Sequence, residues 1–198
     1  MKQLAHNIED YLESSAVVDW CDNAVAVKAK ALVASCNDET ARVKTLFEWV
    51  RDQIPHSKDI NASLLTCSAS DVLAHGTGIC FAKSHLLAAM LRSQGIPAGF
   101  CYQVLTQDGY DSKMTLHGLN AVYIQSLKRW IRLDPRGNTG SCNAQFSVLG
   151  EQLAFPMSAR LGEFIYPGIY AQPATVVVDA LTQYATPEAL WPNLPEAL

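Results

Sequence analysis

The hydrophobic pattern changes period near residue 97. Upstream, apolar positions recur at helical spacing. In NDETARVKTLFEWVRDQIP, residues 37–55, Val43, Leu46, Phe47, Val50 and Ile54 fall on one face, Asp38 and Glu39 occupy a first turn, and Pro55 ends the segment. Weaker periodicity predicts helices from Asp22 to Cys36 and from Leu4 to Leu12, and Ser68 with Asp71 three residues on has the form of a capping box that opens a short run to His75. The helix beginning at Cys80 is the best specified. Ala82, Leu86, Leu87, Ala89, Met90 and Leu91 give it an apolar surface wider than a surface helix needs, Arg92 sits in its last turn, and Gly95 and Pro97 mark its exit. A central, buried helix is expected.

From Ala98 to Thr106 the period is two, with Phe100, Tyr102 and Val104 alternating against Gly99, Cys101 and Gln103, and Asp108-Gly109 marks a turn. Leu119 to Ile124 and Trp130 to Leu133 form two more strands, joined near Ser126 and Leu127 as a hairpin. Helices first and antiparallel strands after predict an α+β fold, with N-terminal helices and the central helix packed on an antiparallel sheet. Further on, Phe155, Tyr166 and Tyr170 alternate with Pro156, Pro167 and Pro173, a segment expected to cross the surface and wall a cleft. Pro173 at a first helical position opens a last helix through Val176 to Tyr184, and TPEALWPNLPEAL is expected to be loosely held.

Composition narrows the function. The 198 residues are 49% hydrophobic, enough to bury one core, so a single domain over 1–198 is expected. A formal charge of −4, with no basic run longer than two residues, argues against nucleic acid as partner, and no apolar run reaches membrane-spanning length. The start, MKQLAHNIEDYLESS, lacks the apolar stretch of a secretory signal. Six cysteines are too few for a disulfide scaffold, which makes reduced thiols and a cytoplasmic location the expectation.

One cysteine stands apart. Cys80 follows the Gly-rich turn HGTGI at a helix start, where unpaired N–H groups and a partial positive charge favour an anion such as a thiolate. With the hairpin turn centred on Ser126-Leu127, Trp130 faces Tyr123 and Asp134 faces Leu119, diagonal to His117 on the same side. A slip of one residue would send Asp134 to the other face. A thiol at a helix start, an imidazole and a carboxylate beside it are the nucleophile, base and orienting group of acyl-transfer chemistry. Backbone N–H groups at Cys80 and its helix turn supply candidate oxyanion donors.

Plainer readings apply to the other candidates. Cys21, Cys36, Cys67, Cys101 and Cys142 read as small buried hydrophobes. His75, Cys80 and His85 are five residues apart, which does not match the facing of helical metal ligands, and no Cys-x-x-Cys pair is present, so neither metal nor cofactor is expected. His85 lies about 140° around the helix from Cys80, too far to act as its base. His6 and His56 show no partner in the sequence.

DVLAHGTGICFAKSHLLAAMLRSQGIPAGF, followed by HGLNAVYIQSLKRWIRLDPRGN and preceded by FEWVRDQI, resembles the transglutaminase-like superfamily of cysteine enzymes over about Ala41 to Asn138. The pattern is Gly-x-Cys at a helix start, a Gly-Ile-Pro exit, a His opening one strand and Leu-Asp-Pro closing the next. The resemblance implies a papain-like core of about 41–138 with 139–198 as an extension, and makes Cys80 the nucleophile, His117 the base and Asp134 the orienting acid. GEFIYPGIYAQP also looks like the tail of small bacterial members. Leu119 stands where many members carry an aromatic residue, and Arg136 where many carry a small polar one. That arginine would set a cation near the site for a carboxylate-bearing substrate. The Arg-Gly-Gly-x-Cys signature of arylamine acetyltransferases is absent, since Gly78-Ile79 precede Cys80. The function expected is thioester chemistry at Cys80 on an amide bond of a peptide, protein or small amide, ending in hydrolysis. Transglutaminase-type transfer to an amine, or a catalytically silent protein- or peptide-binding module on the same fold, are the alternatives.

Overall fold

A computed structural model of the chain describes residues 1–5, 7–107, 113–140 and 142–198. The expected Asp108-Gly109 turn and His6 lie outside the described residues. The fold is α+β. Four helices come first: α1 (Asn23–Leu32), α2 (Glu39–Gln53), α3 (Ala69–His75) and α4 (Cys80–Ser93). Each of the first three starts at a side-chain cap, because Asp22, Asp38 and Ser68 accept hydrogen bonds from otherwise unpaired N–H groups. Asp71 completes the predicted box one residue further out, accepting from the Cys67 N–H at 2.9 Å.

The central helix is wrapped on all sides. Every residue of α4 from Cys80 to Arg92 is buried, against α1, α2 and α3 on one side and the sheet on the other. The apolar width of its sequence foretold this. Its two buried cations were not foretold. Arg92 donates to the carbonyls of Glu13, Ala98 and Ala171, and Lys83 donates to those of Arg51, Ile54 and Arg136. Each ties distant segments to one helix.

The main sheet is antiparallel, in the order β4-β3-β2-β5, with β2 (Ala98–Thr106), β3 (Met114–Ile124), β4 (Arg129–Leu133) and β5 (Phe164–Ile165). The β3–β4 register sets Tyr123 opposite Trp130 and Asn120 opposite Leu133, as the sequence predicts. The connection is a single 3-10 turn, Gln125–Leu127, with Lys128 at φ 50°, instead of a two-residue turn. Alternation along β2 does not give a wet face. Phe100, Tyr102 and Val104 enter the main core, while Cys101 joins Tyr11, Leu119, Ala121 and Ile169 in a second apolar cluster on the far face.

That far face is covered by the N-terminal segment and by the strand at Gly168–Ile169. Leu4 to Leu12 is not an α-helix: β1 (Lys2–Gln3) pairs in parallel with β6 (Gly168–Ile169), and a 3-10 turn over Ile8–Leu12 places Tyr11 in the second cluster. Tertiary pairing outweighs the weak local helical preference here. The expected last helix, α5 (Thr175–Gln183), is followed by a further short one, and it starts directly after its cap Ala174, so Pro173 precedes the cap instead of opening the helix.

The terminal segment is not loose. A short α6 (Pro187–Leu190) and a 3-10 turn bury Leu190 and Leu194, the Gln107 side chain donates to the Trp191 carbonyl at 2.7 Å, and the Leu116 N–H donates to the Pro195 carbonyl at 2.7 Å. Apolar residues at 190, 191 and 194 find a groove beside β3 that their sequence alone does not reveal. Among the described residues, no helix is long and apolar enough to cross a membrane.

Candidate active site

Cys80, His117 and Asp134 converge on one cavity of about 670 Å³ at the N-terminal end of α4, with Cys80 and His117 in its wall and Asp134 behind the ring. Ile79 caps α4 without a side-chain hydrogen bond, so the first amides of the helix remain available beside the sulfur. Ser84, one turn on, donates to the Cys80 carbonyl at 2.9 Å, and Asn120 of β3 donates to the Ser84 carbonyl at 3.0 Å. Nucleophile helix and histidine strand are thereby stitched together.

The imidazole bridges the other two groups. His117 Nε2 and Asp134 Oδ2 lie 2.8 Å apart, and the Cys80 side chain is near enough to act on the charge of the ring. Asp134 is fully buried, and its carboxylate accepts from the N–H of Arg136 at 3.1 Å and of Ala154 at 2.9 Å. Burial opposes charge on both partners, yet the attraction wins. The Asp134 and Cys80 charges raise His117 from 6.5 to about 10 against the effect of burial. Burial would likewise raise Asp134, but the imidazole and two backbone donors hold it below the ordinary carboxylate value. The pair is a charged one around neutral pH.

The walls carry both expected and unexpected residues. Phe155 meets the His117 ring edge-on at 5.0 Å between centroids, as the Pro/aromatic segment was expected to do. Leu105, Leu116, Trp191 and Leu194 supply apolar surface. Arg136 lines the cavity but is not a free cation: its guanidinium grips Asp59 with two bonds, at 2.6 and 2.9 Å, and Thr139 Oγ1 donates to the same carboxylate at 2.7 Å. Burial works against the Asp59 charge, yet these partners hold it down at about 2. The expected docking point for a substrate carboxylate is already filled from within the chain.

His56 is the residue the sequence reading missed. It is buried in the cavity wall, brought there by a parallel bridge between His56 and Gly78, two residues before Cys80. The helix-ending Pro55 gave a faint signal that the chain turns there. Cys142 also lines the cavity, whereas Cys67 and Cys101 are apolar-packed thiols raised to about 11 by burial. His85 points away from the site to the Cys67 carbonyl at 2.8 Å, and burial lowers it to about 4. Among the described residues no group of three His, Cys, Asp or Glu side chains is arranged to hold a metal ion.

The fold resembles solved structures. A Cytophaga hutchinsonii protein carrying the provisional name cysteine protease superposes with a TM-score of 0.55 at 21% identity, covering 67% of this chain and 43% of its own. The periplasmic domain of TgpA from Pseudomonas aeruginosa gives a TM-score of 0.47 at 15% identity, over 63% of this chain and 45% of its own. The chain thus spans less than half the length of either structure. No curated protein matches it. Residues 27–135, more than half of the chain, match the family model, and the protein belongs to the transglutaminase-like superfamily.

Proposed function

We propose that the protein is a cysteine-dependent acyl-transfer enzyme that cleaves an amide bond of a peptide, protein or small amide through a thioester at Cys80. The observation that carries this reading is the buried His117–Asp134 pair, 2.8 Å apart, on the wall of the same cavity as the thiol at the start of α4. In the first half-reaction the Cys80 sulfur attacks the amide carbon and forms a C–S bond, leaving a negative tetrahedral oxygen. The intermediate collapses with loss of the C–N bond, and His117 gives its proton to the departing amine. Water then attacks the thioester, His117 takes up its proton, and the C–S bond breaks to return the thiolate. Asp134 keeps the ring oriented and stabilises its charged form before and after each proton transfer.

A screen of peptide and amide libraries by mass spectrometry tests the reading. An acyl adduct confined to Cys80, released by water and lost in Cys80→Ala, is expected. Release only to added amines would favour transferase chemistry, and adducts on other cysteines, or none at all, would overturn the proposal.

A further inference from the structure

The tetrahedral oxygen formed at Cys80 needs donors, and the first amides of α4 provide one side of a hole for it. His56 lines the same cavity. Its neighbours are locked to the nucleophile's approach: Thr77 Oγ1 donates to the Pro55 carbonyl at 3.0 Å, the Ser57 N–H donates to the Gly78 carbonyl at 3.2 Å, and the Ser57 and Thr77 hydroxyls lie 3.1 Å apart. Thr66 closes the arrangement from behind, donating to the Thr77 carbonyl at 2.9 Å. His56 is therefore held by a braced single-residue bridge, not on a free loop.

Its tautomer is fixed as well. Nδ1 accepts the Lys58 N–H at 3.3 Å, so the ring proton resides on Nε2. Among the described residues no acceptor is hydrogen-bonded to Nε2, and the residue is 4% exposed. The Trp191 ring stands edge-on at 6.5 Å between centroids and limits its rotation. An oriented N–H on a residue that lines the cavity holding the nucleophile, with no acceptor among the described residues, is placed to receive an oxygen that appears only during reaction.

We infer that His56 is a catalytic residue of this site, its Nε2–H stabilising the tetrahedral oxyanion together with the first amides of α4. Burial, with the Arg136 charge acting in the same sense, holds His56 well below 6.5, so the ring is a neutral donor and does not compete with His117 as a base. The division of labour parallels other sites in which two titratable groups are pushed apart by their surroundings. This inference rests on the acyl-transfer reading of Cys80.

The test compares two reactions of the same thiol. Acylation by p-nitrophenyl acetate passes through an oxyanion, whereas alkylation by iodoacetamide does not, yet both need the Cys80 thiolate. In His56→Phe, acylation should fall about 100-fold or more while alkylation stays within about twofold. His56→Gln, which restores an N–H donor, should recover at least about tenfold of that loss. His117→Ala should depress both reactions together. Circular dichroism and thermal melting of each variant establish that the fold is kept. Equal retention or a parallel fall of both rates in folded His56 variants would overturn the role of His56 and leave the function standing. Wild-type protein that is not acylated at Cys80 would overturn both.

Discussion

Gly118 lies against the ring of Phe81, so closely that a β-carbon on Gly118 would come within 2.6 Å of Phe81 Cδ1. These residues follow His117 and Cys80 directly in the chain. The missing side chain lets the histidine strand settle onto the start of the nucleophile helix, and the distance between sulfur and imidazole depends on that approach.

Gly118→Ala should therefore impair chemistry more than it impairs folding. The added methyl must push β3 from α4 or displace a buried ring, a strain of about 1–3 kcal/mol. Displacements of about 1 Å at reacting groups cost roughly 100-fold in rate. Melting temperature and Cys80 acylation rate, measured on the same preparation, check the split. An unchanged acylation rate would show that the close approach does not position the pair.

The proton on His117 depends on Asp134. The ring should remain charged through neutral pH in the wild type, with its resonance titrating well above 6.5, towards about 10. In Asp134→Asn burial is opposed by Cys80 alone, and the ring should titrate well below the wild-type value of about 10. Nuclear magnetic resonance of ring-labelled histidine reads this directly. The sign for stability follows from linkage. With the folded value raised, the histidine contribution is complete below 6.5 and is lost as pH rises towards about 10. Asp134, held below 3.8, contributes above that value and its share is lost as pH falls through the lowered folded value.

Lys83 is a structural staple one turn along from the nucleophile. Its ammonium satisfies carbonyls at the end of α2 and at Arg136, beside Asp134. Burial, reinforced by the Arg136 charge, lowers it to about 7, so the carbonyls must supply what solvent no longer does. Lys83→Met should cost about 2–4 kcal/mol by stranding those acceptors. Urea denaturation measures it. A loss below about 0.5 kcal/mol would place the site in the range of ordinary surface substitutions and refute the staple.

The terminal segment should behave as part of the core. Leu190 is 1% exposed, and Leu190→Ala should destabilise the protein by about 2–4 kcal/mol in the same urea titration. Native-state hydrogen exchange should also protect the Leu116 amide, whose acceptor is the Pro195 carbonyl. Rapid exchange at Leu116 in the folded protein would mean the segment is not docked.

What the sequence by itself determined was local and periodic. Apolar spacing set α2, the all-round apolarity of the Cys80 helix announced its burial, and hairpin register followed from an alternating pattern bracketed by aromatic residues Tyr123 and Trp130. The same register placed Asp134 beside His117, which lies inside β3 and not at its end, whereas the packing of α4 on β3 brought Cys80 to them. Tertiary structure decided the rest. His56 gains its meaning only from the bridge to Gly78, Arg136 loses its free charge only by meeting Asp59, and Lys83 and Arg92 are tolerated inside only because remote carbonyls surround them. Docking of the terminal residues beside β3 likewise needs a groove assembled from segments far apart in the chain. Such contacts leave no periodic trace, since they join positions whose separation along the sequence carries no physical constraint until the chain has folded.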